Sequence, residues 1–293
     1  GMSQQQQQYQ QGGGMHAPQP QQMLADPTAG LGFLADIDGL FIQQKLEIFE
    51  ALTGCDTKNR YHVTPIPAGS IPDLNDPIPR EWLTHFKEQA ARSPLLKAKE
   101  ESECFERICC PMYRSFTMDF KDGAGNTFFS IRRPFNCTFI TPCFQLCPQR
   151  LTLHNAHGAP AAHAREEFKC CWWCTRSFVA EDEAGRAQYH LQASECSSSR
   201  GCNVLAPSCC NENYDMDVWD AYETKVVAHA ANVWPGCNCG GITERSNLII
   251  RFPKDATPPQ RAALIASLML VEFAHFEWKK GDNSGGAGVA GIS

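Results

Sequence analysis

Apolar and polar residues alternate with period two through the middle of the chain. Phe116, Met118 and Phe120 alternate with Thr117 and Asp119, and Asp122 to Asn126 supplies two glycines ahead of Phe128 to Ile131, which predicts a β-hairpin. The pattern returns about a hundred residues later: Tyr214, Met216 and Val218, a polar turn at Asp220 to Glu223, then Val226 to Ala230. Cys109-Cys110 and Cys209-Cys210 precede the two copies, and both copies end in proline, at Pro134 and Pro235. This internal duplication predicts two related sheets that close into one barrel. Leu151 to Leu153, Phe178 to Ala180 and Tyr189 to Leu191 add short strands, with turns at Gly158 and at Glu183 to Gly185.

Elsewhere the pattern is helical or mixed. Order is expected to begin near Leu31 to Leu40; from Phe41 to Leu52, Leu46 and Ile48 alternate with charged neighbours while Phe49 and Leu52 fit a helix, so that segment is ambiguous. Five prolines fall between Pro65 and Pro79, and Trp82, Phe86 and Ala90 then take helical spacing, which together predicts a surface insertion at about residues 65–95. Thr257, Pro258, Pro259 and Gln260 form a capping box with proline at the first helical position. Ala262, Leu264, Leu268 and Val271, then Phe273 and Phe276, carry an apolar helix that Lys279, Lys280 and Gly281 end. At about 1.5 Å per residue this helix reaches roughly 25 Å, short of a hydrocarbon core of about 30 Å. A helix apolar on nearly every face suits the interior of a barrel, and that placement is expected.

Composition narrows the class. With 293 residues and 43% apolar content, the chain is large enough to bury a sizeable core without disulfides. A net charge of -6 offers no global positive field, so no nucleic acid partner is expected. Residues 1–28 read as a disordered Gln/Gly/Pro-rich tail able to meet protein partners, 29–281 as the barrel domain, and 282–293 as a disordered Gly-rich tail. The Gln-rich start lacks the pattern of a secretory signal, so the cytosol is expected and the sixteen cysteines should be mostly reduced. No phosphate-binding loop, nucleophile elbow or H-E-x-x-H pair appears, which gives an enzymatic reading little support.

Ile37-Asp38 through Gln43-Gln44, Leu52-Thr53-Gly54 and Lys58-Asn59-Arg60-Tyr61 resemble the opening of the phospholipid scramblase domain. Cys109-Cys110 before Arg114-Ser115-Phe116-Thr117, Arg132-Arg133-Pro134, the Asn247 to Asp255 segment and the apolar helix ending Phe276-Glu277 extend the resemblance in order over roughly residues 30–280. The resemblance implies a mainly β, tubby-like antiparallel barrel of about twelve strands closed around a central hydrophobic C-terminal helix. It implies calcium-stimulated, ATP-independent movement of phospholipids between leaflets, from the cytosolic face of membranes, the plasma membrane above all. A binding module that docks on membrane lipid or protein without moving lipid is the alternative.

The resemblance also places sites. The family's calcium segment is similar to Glu244 to Asp255, which puts Glu244, Ser246, Leu248, Ile250 and Asp255 at ligand positions. Calcium wants six to eight oxygens, and only two of these residues are carboxylates; the competing reading makes Asn247 to Phe252 the last barrel strand. The family's acylated cysteine cluster corresponds to Cys137, Cys143 and Cys147. Cys170, Cys171 and Cys174 with Cys237 and Cys239 could assemble a thiolate set, but buried structural cysteine is the commoner outcome, so zinc is not expected there. Glu272 and His275 interrupt the apolar helix, and either line a polar lipid track or pair inside the barrel.

Overall fold

The computed structural model describes residues 28–45, 58–70, 80–110, 112–140, 145–169, 174–195, 199, 201–208, 210–234 and 244–277. Alternating residues dominate, and strands result: β1 (Ile37–Lys45), β2 (Arg60–Pro67), β3 (Leu96–Glu101), β4 (Phe116–Lys121), β5 (Thr127–Arg133), β6 (Phe139–Ile140), β7 (Gln145–Leu146) and β8 (Arg150–Asn155) in the first half. β9 (Pro160–Glu167), β10 (Thr175–Asp182), β11 (Ala187–Ser194), β12 (Asn213–Asp220), β13 (Val226–Val233) and β14 (Glu244–Arg251) follow. Twelve of them close one antiparallel barrel in the order β1-β14-β13-β12-β11-β10-β9-β8-β5-β4-β3-β2, and β6-β7 form a separate two-stranded hairpin.

Short connections make this topology local. At the β4–β5 turn the Asp122 carboxylate accepts from the Ala124 and Asn126 N–H groups at 2.9 Å, and Gly125 takes φ +90°. Asp182 repeats the arrangement at the β10–β11 turn. Closure falls to β1, which pairs with β2 on one edge and β14 on the other. Gly39 lies at that seam: a Cβ there would stand 2.1 Å from the Ile250 carbonyl oxygen, so the two strands meet only because position 39 has no side chain.

The lumen is filled. Helix α3 (Pro258–Val271) runs through it, and every residue from Arg261 to Phe276 is buried. Thr257 and Gln260 make the capping box foreseen from the sequence. Alanine-rich β9 and its neighbour β10 flank the helix most closely, and Ala162, Ala164 and Ala180 leave room for it. One end is closed by a short helical turn, Gly32–Asp36, where the Ala35 carbonyl accepts from the Arg261 guanidinium at 3.3 Å, as does the Ile37 carbonyl at the start of β1 at 2.7 Å. At the other end the helix widens into a π-helical turn, Glu272–Phe276, and Phe273 packs on Tyr61 and Phe116.

Outside the barrel, α1 (Arg80–Arg92) lays Trp82, Leu83, Phe86 and Ala90 over Phe41, Ile66, Ala231, Val233 and Ile249 of β1, β2, β13 and β14. The shorter α2 (Cys104–Cys109) precedes β4 and leaves Phe105 and Ile108, three residues apart, exposed on its surface.

Both duplicated hairpins occur, as β4–β5 and β12–β13, and the three further strands are β8, β10 and β11. The ambiguous stretch from Phe41 continues β1 to Lys45; its remainder, with Phe49 and Leu52, lies outside the described residues, as do residues 1–27 and 278–293. Strands β3 and β9 carry no strong signal because Lys, Glu and Ala have low strand propensity; their place is decided by neighbours on both edges.

Candidate functional site

Antiparallel pairing aligns directly opposed residues on one face of a sheet. Glu101, Thr117, Arg132, Thr152 and His163 are consecutive cross-strand partners on β3, β4, β5, β8 and β9, and they form a polar row on the outer wall. Around this row opens a groove of about 750 Å³, lined by Lys58, Glu101, Ser102, Glu103, Ser115, Thr117, Arg132, Arg133, Thr152 and His154 among others. Arg132 is exposed, between the hydroxyls of Thr117 and Thr152. Burial, then the Arg132 and His163 charges, lower the His154 pKa, so His154 is neutral at pH 7. The groove presents Lys58 and Arg132 beside Glu101 and Glu103, in a chain that is acidic overall.

Beneath the groove lies a buried guanidinium. Arg133 alternates with Arg132 along β5 and so points into the barrel, over the rings of Phe116 and Phe273 at 5.9 Å each. It donates to Gln149 Oε1 from Nε at 3.1 Å and from the terminal nitrogen Nη2 at 2.6 Å, and also to the Met112 carbonyl. Its Nη1 makes no hydrogen bond, and no carboxylate ion-pairs with it among the described residues. Burial pulls its pKa down to about 10, so it stays charged at neutral pH. Next to it, Arg114 is fully engaged, bonding Glu100 at 2.6 and 2.9 Å and Glu277 at 2.9 and 3.1 Å. Asn59 joins both carboxylates, and Gln44 holds Asn59 at 2.7 Å.

Residues 87–278 match the family described as Scramblase. The chain belongs to the scramblase family. Phospholipid scramblase 1 of Mus musculus is 25% identical over 266 residues, 91% of this chain and 69% of that protein. Phospholipid scramblase 2 of Bos taurus is 26% identical over 253 residues (86% and 73%), and phospholipid scramblase 1 of Homo sapiens 25% over 260 residues (89% and 69%). No solved structure matches.

Within this scramblase-family barrel the residues singled out from sequence fall in different places. Ser246, Leu248 and Ile250 lie on wall strand β14; Leu248 and Ile250 pack in the lumen, paired with Ile42 and Leu40 on β1. Asp255 is exposed, past the strand, and the side chain of Glu244 lies outside the described residues. The five positions are thus spread along a strand and the turn after it. Cys137 and Cys147 are exposed on either side of the β6–β7 hairpin, and Cys143 lies outside the described residues. Of the thiolate set only Cys174 is described, and Cys104 is disulfide-bonded. Glu272 and His275 are buried, with His275 Nε2 3.4 Å from Glu195. No helix among the described residues is long and apolar enough to cross a membrane.

The groove itself escapes a reading by motif. Arg132-Arg133-Pro134 is visible in the sequence as a string, yet period-two alternation along β5 is what separates an outward Arg132 from an inward Arg133. Lys58, Thr117 and Thr152 come from distant segments and meet only through strand pairing.

Proposed function

We propose that this chain is a non-enzymatic phospholipid scramblase that handles lipid headgroups in the outer-wall groove, the barrel lumen being occupied by α3. The observation that carries this reading is membership of the scramblase family over residues 87–278. The groove's chemistry supports it. A phosphodiester is met by guanidinium and ammonium groups with hydroxyl donors beside them, here Arg132, Lys58, Thr117 and Thr152. The positive amine of a zwitterionic headgroup is met by Glu101 and Glu103 on the same wall. A polar groove on the outside shields a headgroup from hydrocarbon, where leaving it unpaired costs several kcal/mol.

The test is reconstitution in liposomes carrying a fluorescent phospholipid, reading how much probe an impermeant quencher reaches. The expected result is quenching beyond the outer leaflet, with Arg132→Ala slowing it about tenfold through loss of a charge-assisted contact worth about 1.5–3 kcal/mol. Calcium stimulation rests on the resemblance of Glu244 to Asp255; it is supported if calcium raises the rate and Asp255→Ala removes the rise, and refuted by equal rates. The filled lumen favours a second reading, a membrane adaptor that moves no lipid. Binding to the vesicles with probe protection unchanged establishes that reading instead.

The membrane-facing end in this proposal is the one bearing Phe105, Ile108, Phe135 and Leu146, exposed apolar side chains close to Cys137 and Cys147. Acyl chains on those thiols would hold this end to the cytosolic leaflet, at the plasma membrane above all. Hydroxylamine, which cleaves thioesters, should then release the protein from isolated membranes. Full retention rules out an acyl anchor as the sole attachment.

A further inference from the structure

Along the barrel wall from the groove, beyond the shared strand β9, the outer face of β9 to β12 carries a second polar cluster with a different character. Glu167 on β9, His190 on β11 and Glu223 in the β12–β13 turn converge, their donor atoms all within 4.8 Å of one another. His190 Nδ1 stands 3.2 Å from Glu223 Oε1 and 3.4 Å from Glu167 Oε2. His190 is only 7% exposed, and neither its Nδ1 nor Glu167 Oε2 makes a hydrogen bond. Nδ1 thus stands within ion-pair reach of both carboxylates without a well-formed hydrogen bond to either, a convergence of one imidazole and two carboxylates that a cation would complete.

We propose that Glu167, His190 and Glu223 form a site for a divalent transition-metal ion of the manganese-to-zinc class. The two distances from His190 Nδ1 fit such an ion: ligands about 2.0–2.1 Å from a tetrahedral centre stand roughly 3.3–3.4 Å from one another, and the two carboxylates lie within 4.8 Å. One imidazole with two carboxylates suits Mn2+, Fe2+ or Zn2+, whereas Ca2+ takes oxygen ligands in larger number. The site is distinct from the calcium segment on β14 and uses no thiol. Each ligand is independently placed. Glu167 and His190 are set by the ladder through β10, where they oppose Ser177 and Val179. Glu223 is set by its turn, at φ +54°, with its N–H bonded to Asp220 O at 3.0 Å. A metal would therefore tie two strands and a turn across the outer wall. In its absence the Lys169 ammonium balances the carboxylates, bonding Glu223 Oε2 closely and standing 3.9 Å from Glu167 Oε2. Gln192 also donates to Glu223 Oε2 at 3.2 Å, which leaves Oε1 turned toward His190.

The full-length chain, stripped with a chelator, is titrated with Mn2+ and free ion is followed by electron paramagnetic resonance. Mn2+ is the probe because it avoids the cysteines that Zn2+ would also find. The expected result is one Mn2+ per chain, displaced by Zn2+ once it exceeds what the cysteines take up and retained against a tenfold excess of Ca2+. His190→Ala and Glu167→Gln should each weaken binding by at least about tenfold, the loss that even an outer-shell partner produces. Lys169→Met removes the competing ammonium and should tighten binding, a gain that a misfolded variant cannot mimic. Failure of the wild type to bind, or binding that all three variants leave unchanged, overturns the proposal; displacement by Ca2+ overturns the assignment of metal class.

Discussion

Replacing Leu268 with aspartate is expected to abolish cooperative folding of the whole barrel. Leu268 is fully buried in the middle of α3, inside the closed sheet. Loss of the leucine contacts costs about 2–5 kcal/mol. An unpaired carboxylate in that apolar setting adds several kcal/mol more. The sum rivals the whole stability of a typical domain, about 5–15 kcal/mol. Near-ultraviolet circular dichroism should be lost and a sharp thermal transition should disappear. Leu268→Met, which conserves volume, should cost under about 1.5 kcal/mol and keep both signals. The contrast also decides the role of the helix. A membrane-embedded α3 attached to a self-sufficient barrel would leave the cooperative transition of Leu268→Asp intact in detergent-free buffer.

The second large effect is expected at Arg114. Its guanidinium is shared between Glu100, which is fully buried, and Glu277, which is 24% exposed. Arg114→Ala strands the Glu100 carboxylate in the interior, and breaking a buried pair by removing one partner costs about 3–5 kcal/mol. For a domain of this size that lowers Tm by about 10 °C, as scanning calorimetry would read. The pH dependence follows from the same group. Burial tends to raise the Glu100 pKa, but Arg114 more than reverses this, and the carboxyl lies below the usual range. A carboxylate depressed in the folded state stabilises fully above its unfolded pKa, roughly 4.3, and loses that contribution as pH falls through the folded value. Wild-type stability should therefore decline below about pH 4. Glu100→Gln should flatten that decline; an unchanged profile in the variant would remove Glu100 as its source.

Much of the architecture was legible before any coordinates. The duplicated hairpins at Phe116 to Ile131 and Tyr214 to Ala230 announce themselves because each has one face in the core and one in water, so the alternation is clean. The capped C-terminal helix is equally plain, since Thr257, Pro258 and Gln260 are adjacent in sequence. Strand β14 is different. Both faces of its apolar triplet are buried, Leu248 and Ile250 toward α3 and Ile249 toward α1, so the alternation is lost there, and a resemblance to a calcium segment competes with the strand reading.

What the chain alone determined is therefore what neighbouring residues encode: the period-two strands, their tight turns, the helix and its cap, and the scramblase resemblance that rides on short ordered strings. Tertiary structure decided which residues meet across the barrel. Arg132 joins Lys58 and Thr152 in the groove, and Glu167 reaches His190 and Glu223, only because strands of fixed register bring them together. The same holds for α3, whose apolar surface suits lipid and protein interior alike; closure of twelve strands around it supplied the surroundings that local hydropathy could not specify.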